Sequence, residues 1–149
     1  PAARAVAVSM GAAEVIAFDE ATLASVQELT GGELCDVVIE AAGAQATLDV
    51  AGAATRIRGR LVIAGYHQDG RRFVDLQLWN WRGLDVINAH ERDLAVYVEG
   101  MELAADAVKT GRLDPRSLYT HEFALDELSG AFAALAGRDP SLTKAIVCP

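Results

Sequence analysis

The feature that most constrains this chain is a series of short apolar segments separated by stretches of helical periodicity. Residues 35–41 (Cys-Asp-Val-Val-Ile-Glu-Ala), 60–64 (Arg-Leu-Val-Ile-Ala) and 84–88 (Leu-Asp-Val-Ile-Asn) are rich in β-branched residues and each holds a continuous apolar run. Such runs do not show the polar–apolar alternation of a strand with one wet face, so they read as strands of a parallel sheet covered on both sides. Parallel neighbours need a crossover between them, and the intervening segments are long enough to be helices. The fold class is therefore α/β.

The rest of the chain follows the same plan. Residues 1–9 read as the end of a helix closed by Gly11, and 14–18 as a short buried strand. Asp19 is a suitable N-cap for a helix to about Leu29, with Leu23, Val26 and Leu29 on one face. Gly31 and Gly32 stop it. Ala42 and Gly43 make a turn, residues 45–57 a helix, and Gly59 its end. An irregular stretch precedes residue 84. A long helix then runs to about Thr110, with Leu94, Tyr97, Val98, Met101, Ala105 and Val108 along one stripe; Gly111 terminates it. The tail reads as a strand at 119–123, a helix at 126–136 and a last strand at 144–148.

Composition removes several classes of function. Of 149 residues 52% are hydrophobic and 23% charged, which excludes low-complexity disorder. Apolar runs such as 61–64 are too short to span a bilayer. Residues 1–10 carry one Arg and no long apolar core, so no signal peptide is read there, and a cytoplasmic location is expected. The formal net charge of −8 argues against a nucleic-acid partner, which would need clustered Lys and Arg. Cys35 and Cys148 sit in apolar strand-like runs and are expected to be buried free thiols rather than a disulfide.

In an open parallel sheet, ligands bind outside the carboxyl ends of the strands. Three such ends carry small or backbone-exposing residues: Ala42–Gly43, Gly65–Tyr66 and Ala89–His90. Small residues let a ligand approach the main chain closely. On spacing alone, simple turns explain them equally well.

Three segments taken in order shift that balance. These are Met-Gly-Ala-Ala-Glu-Val-Ile at 10–16, Leu-Thr-Gly-Gly-Glu-Leu-Cys-Asp-Val-Val-Ile-Glu-Ala-Ala-Gly at 29–43, and Gly-Arg-Leu-Val-Ile-Ala-Gly at 59–65. With the tail at 120–132 and the ending Thr-Lys-Ala-Ile-Val-Cys-Pro at 143–149, they resemble the zinc-containing, medium-chain alcohol and polyol (sorbitol-type) dehydrogenases. The resemblance covers nearly the whole chain. It implies that residues 1–149 are the C-terminal portion of an NAD(P)-binding Rossmann domain plus the C-terminal strand and helix segment. It further implies NAD or NADP as cofactor, zinc in the parent enzyme, a small-molecule alcohol substrate and a homo-oligomer. Site residues carry over by position. Ala42 and Gly43 fall beside the adenosine, and Ala64, Gly65 and Tyr66 at the nicotinamide ribose. Asn88, Ala89 and His90 fall at the carboxamide, with His90 alternatively capping the long helix. Lys144 faces the cofactor or the domain cleft, or else makes a surface salt bridge. Tyr66 and His67 project near the nicotinamide. His67 is the single catalytic candidate, as a proton relay, against the plainer reading of a polar lining residue. Trp79 and Trp81 line a substrate pocket, or pack between domains or across a dimer. His121 is expected to be structural.

The chain departs from that family at its front. It has no G-x-G-x-x-G turn and no acidic residue closing a second strand to read the ribose hydroxyls. The family's N-terminal catalytic zinc domain is also absent. Two cysteines and three histidines are scattered without ligand spacing, so no metal site is built from them. In the strand order 3-2-1-4-5-6, residues 14–18 would be strand three and 35–41 strand four, leaving unpaired edges at the centre of the sheet. The reading is thus a partial Rossmann-type sheet from an alcohol or polyol dehydrogenase, inactive as this chain alone. The alternatives are the zinc-free quinone and enoyl reductase branch, and a non-catalytic dimerisation module joined through residues 84–88.

Overall fold

A computed structural model describes residues 2–137 and 139–149. In chain order its elements are α1 (Ala2–Ser9), α2 (Thr22–Leu29), β1 (Cys35–Glu40), α3 (Gln45–Ala54), β2 (Thr55–Ile63), α4 (Leu76–Arg82), β3 (Asp85–Asn88), α5 (Leu94–Lys109), β4 (Tyr119–Ala124), α6 (Leu128–Ala136) and β5 (Lys144–Cys148). They divide into two compact units. One is Ile16–Asp93; the other joins Pro1–Val15 to Leu94–Pro149.

The unit Ile16–Asp93 is built on a three-stranded parallel sheet in the order β1-β2-β3. This is the expected α/β, partial Rossmann-type arrangement. Its core is small: Leu61 of β2 is fully buried, with Leu48, Ala51 and Ala54 of α3 and the Thr55 hydroxyl-bearing side chain around it. Coverage on both faces is not reached within the chain. Val37 and Ile39 of β1 remain 54% and 64% exposed, because β1 is an edge strand whose one ladder partner among the described residues is β2.

Three expectations are corrected here. Residues 14–18 are not a strand. An extended segment becomes a strand only through a ladder partner, and among the described residues no strand pairs with this one. Asp19 does not cap α2; its carboxylate accepts from the amide of Ala21 at 2.8 Å in a turn that precedes the helix. Thr22 closes the same turn, donating its hydroxyl to Asp19 O at 2.7 Å. The helix expected over 45–57 ends at Ala54, and residues 55–57 already belong to β2. Its end is fixed from outside: the Arg82 guanidinium donates to the carbonyls of Ala53 and Thr55, each at 2.8 Å. Gly59 then lies in a bulge rather than a cap. The β1–β2 register jumps from Cys35↔Thr55 to Val37↔Arg60, and a Cβ at Gly59 would stand 2.8 Å from the Thr55 methyl.

The stretch read as irregular contains α4. Asp75 caps it, accepting from the amide of Leu78 at 2.9 Å, and Gly83 ends it in the left-handed region at φ 60°. Trp79 packs against α3 at Gly52, where a side chain would collide with the indole nitrogen. Trp81 is 87% exposed.

In the other unit β4 and β5 pair in parallel, with α6 against them and Ala131 buried. Helix α5 forms over the expected residues, yet its apolar stripe is exposed at Leu94, Tyr97, Val98, Met101 and Val108. Cys35 and Cys148 are free thiols, partly rather than fully buried. Among the described residues no helix is long and apolar enough to cross a membrane.

Because burial differs so sharply between apolar strand residues, truncations separate them. Leu61→Ala should cost about 3 kcal/mol through lost transfer energy and a cavity. Ile39→Ala, on the open edge strand, should cost under about 1 kcal/mol. Denaturant unfolding of the two variants measures this, and equal costs would contradict the placement of the core.

Candidate functional site

The carboxyl ends of β1, β2 and β3 finish level with one another. Glu40 is paired with Ile63, and Ile63 with Asn88. The loops that follow therefore leave the sheet side by side. The amides of Ala64 and Gly65 both donate to the Glu40 carbonyl at 2.8 Å, and the Ala89 amide donates to the Ile63 carbonyl at 2.9 Å. Ala42, Gly43, Ala64, Gly65, Tyr66, Asn88, Ala89 and His90 are thus brought to one edge.

Two glycines make that spacing possible. Gly43 has φ 76°, and a Cβ on it would stand 2.7 Å from the Tyr66 carbonyl oxygen. A Cβ on Gly65 would collide with the Glu40 carboxylate and the Gly43 amide nitrogen. No side chain fits at either place without moving backbone. The rings of Tyr66 and His90 stack with centroids 5.6 Å apart and planes inclined by 28°, joining the second loop to the third.

A residue outside the sequence-based candidates organises the first two loops. The Glu40 side chain is 1% exposed. Its Oε1 accepts from the amides of Ala42 at 2.9 Å and Gly43 at 2.8 Å, and from the Thr47 hydroxyl at 2.6 Å. Its Oε2 faces His67 Nε2 at 3.0 Å. Burial pushes the Glu40 carboxyl upward, but the hydrogen bonds from Thr47, Gly43, Ala42 and His67 outweigh it and hold the group below its usual value. On its far side His67 Nδ1 receives Arg72 Nε at 2.9 Å. The Arg72 terminal nitrogen also donates to the Gly43 carbonyl at 2.9 Å and contacts the Asp69 carboxylate.

This arrangement fixes the imidazole. Arginine only donates, so Nδ1 must be the bare, accepting nitrogen, and the proton sits on Nε2 and points to Glu40. Both ring nitrogens of His67 are therefore engaged. The sequence did carry a signal for Glu40: a carboxylate in the run Val-Val-Ile-Glu needs donors, and the next three residues, Ala-Ala-Gly, can turn their amides back to supply them.

The remaining candidates belong to other elements. Trp79 is committed to α3, while Trp81 lies beside an open cleft lined by Asp75, Gln77, Leu78 and Asn80. Lys144 is exposed at the start of β5, in the other unit, and among the described residues its ammonium has no carboxylate partner. In that unit His121 is 3.1 Å from the Thr120 hydroxyl and stacks on Phe123. Among the described residues no three His, Cys, Asp or Glu side chains converge as a metal site would require.

The depressed Glu40 carboxyl links this site to acid stability. A carboxyl whose folded pKa lies below its unfolded value of about 4.5 stabilises the fold above that pH. The contribution disappears as pH falls through the folded pKa. Glu40→Gln should remove that dependence, so the gap between the denaturant midpoints of wild type and variant should shrink steadily as pH falls from about 4.5. Parallel curves from pH 7 to pH 3 would contradict the assignment.

Comparison with known proteins bears on the family and the fold. The family model described as zinc-binding dehydrogenase matches residues 1–106. Sorbitol dehydrogenases 1 and 2 of Saccharomyces cerevisiae are each 25% identical over 122 residues, which is 82% of this chain and 33% of theirs. The chain thus spans about a third of the length of the curated relatives it matches. Among solved structures, zinc dependent alcohol dehydrogenase 2 from Streptococcus pneumonia superposes with a TM-score of 0.83 at 25% identity, covering 96% of this chain and 40% of that one. The alcohol dehydrogenase of the archaeon Aeropyrum pernix gives 0.77 at 25% identity, over 97% of this chain and 39% of its own. With level parallel strand ends, two obligatory glycines and a family match over most of its length, the chain belongs to the zinc-binding, medium-chain alcohol and polyol dehydrogenase family.

Proposed function

We propose that the three loops at the carboxyl edge of β1-β2-β3 form one wall of an NAD(P) site in an enzyme that oxidises a secondary or sugar-like alcohol. The observation that carries this reading is the pair Gly43 and Gly65. Both lack room for a side chain, and together they hold two successive loops in backbone contact at the edge where parallel sheets receive ligands. Ala42 and Gly43 flank the adenosine side of that wall. Ala64, Gly65 and Tyr66 meet the nicotinamide ribose, and Asn88, Ala89 and His90 offer backbone groups to the carboxamide. Lys144, at the start of β5, is a further cofactor-side candidate by its position before the last strand. Tyr66, His67 and Trp81 are assigned to the alcohol side, whereas Trp79, packed on Gly52 of α3, is withdrawn from the substrate lining.

When bound, the dinucleotide accepts the hydride released from the alcohol carbon. The residues of this chain orient it. His67 serves as lining rather than as a relay, because neither of its nitrogens is free to exchange a proton with substrate. Zinc chemistry finds no ligand set among the described residues. Two further assignments belong to the same reading. The edge strand β3, exposed at every residue, joins a second subunit in a homo-oligomer, and the protein works in the cytoplasm.

Titration of the full-length protein with NADH and NADPH, followed by fluorescence, tests the reading. Micromolar binding of one nucleotide is expected, weakened about tenfold by Gly65→Ala, which equals about 1.4 kcal/mol. Absence of binding by wild type, or full affinity in the variant, would reject it.

A further inference from the structure

We propose that Glu40, His67 and Arg72 form a hydrogen-bond brace of fixed polarity that holds the loop 65–72 against the Ala42–Gly43 turn in the position that receives the dinucleotide. This rests on the NAD(P) reading above. The three are positioning residues, and none of them needs to touch the cofactor.

The geometry gives the brace its direction. Arg72 donates to His67, His67 donates to Glu40, and Glu40 accepts from the turn through its other oxygen. Arg72 also reaches the Gly43 carbonyl, so the chain of bonds closes on the turn from which it started. The link is long in sequence: 27 residues separate Glu40 from His67, and 29 separate Gly43 from Arg72. It is also shielded from water, with the side chains of Glu40, His67 and Arg72 exposed by 1%, 14% and 15%. Charge-assisted bonds in such surroundings are stronger than their exposed counterparts. Neither loop can slide past the other without breaking one of them.

Polarity makes the proposal testable at the level of one atom. In Glu40→Gln, three donors converge on Oε1, so the amide oxygen must stay there and its NH2 must face His67 Nε2. Two donors then oppose each other. If His67 shifts its proton to Nδ1, the same conflict reappears with Arg72 Nε, which cannot accept. The exchange of one oxygen for one NH2 therefore breaks the brace at one link or the other, while the turn keeps its own bonds. Arg72→Gln places an amide where Arg72 Nε stands. That amide can present either its NH2 or its oxygen, so in the double variant it turns and accepts from Nδ1–H.

The experiment measures dinucleotide dissociation constants, thermal midpoints and the 15N spectrum of His67 in the full-length protein, at temperatures where all variants are folded. Wild type should show the Nε2–H tautomer. Glu40→Gln should bind about tenfold more weakly, the equivalent of about 1.4 kcal/mol. Arg72→Gln, which loses the Gly43 carbonyl contact, should bind about threefold more weakly. The double variant should bind no worse than Arg72→Gln alone, with His67 turned to the Nδ1–H form. A brace that only stabilised the fold would change midpoints and leave affinity untouched, and that result would overturn the proposal. So would an Nδ1–H tautomer in wild type, or additive losses in the double variant. Failure of wild type to bind any dinucleotide would overturn the cofactor reading itself, which the unchanged tautomer pattern would distinguish from failure of the brace alone.

Discussion

A carboxylate at the end of a buried strand keeps its charge only if protein donors replace the water it has lost. Glu40 is in that position, and the conformations of both neighbouring loops follow from the replacement. Its first oxygen draws the amides of Ala42 and Gly43 back toward β1, which turns the chain sharply enough that position 43 takes a positive φ. Its second oxygen orients His67, and His67 in turn orients Arg72. The glycines at 43 and 65 are consequences of the same requirement. Donors close enough to satisfy a buried carboxylate bring two main-chain segments together, and the space left between them excludes a Cβ.

The fold around this centre is less complete than its strand composition demands. Strands rich in Val and Ile on both faces belong in the interior of a sheet, yet β1 and β3 are both edges and carry exposed apolar side chains. Helix α5 shows the same imbalance, with a regular apolar stripe that its own unit does not cover. Contiguous apolar surface of this kind is what other parts of an enzyme or a second subunit normally bury. The curated relatives this chain matches are about two and a half times its length, which leaves room in those proteins for such covering to come from other residues.

What could be read from the sequence was whatever depends on local pattern. β-branched runs located β1 and β3 to within a residue and the second half of β2, which starts at Thr55, and period-3.6 spacing located α5 with Gly111 behind it. Misreadings arose where a distant group decides. The end of α3 is set by Arg82, which caps its carbonyls from 27 and 29 residues away, so periodicity alone carried the helix on to residue 57. Residues 14–18 have strand composition but no partner, and pairing cannot be seen in a single segment. Helix α4 was legible in principle, since Asp75 and Gly83 bracket it as cap and stop, but seven residues containing two Trp looked more like a lining loop than a helix. The loop residues at the carboxyl edge of the sheet follow from their position after strands. Glu40 has a local signal in the Ala-Ala-Gly that follows it, but its link to His67 and Arg72 spans 27 residues or more and has no local motif.

The loop 65–72 is held unequally on its two sides. Toward β1 it is tied by several charge-assisted hydrogen bonds among side chains that are nearly dry, each worth about 1.5–3 kcal/mol. Toward β3 it is held by the stacking of Tyr66 on His90, both exposed, an aromatic contact worth about 0.5–1.5 kcal/mol. A ligand entering between the second and third loops therefore meets a fixed wall on one side and a weakly held ring pair on the other. The ring pair is the element that yields, because separating it costs less than breaking any one link of the buried network. The residues with the most freedom to adapt are then Tyr66 and His90, while Gly43 and Gly65 keep the backbone beneath them in place.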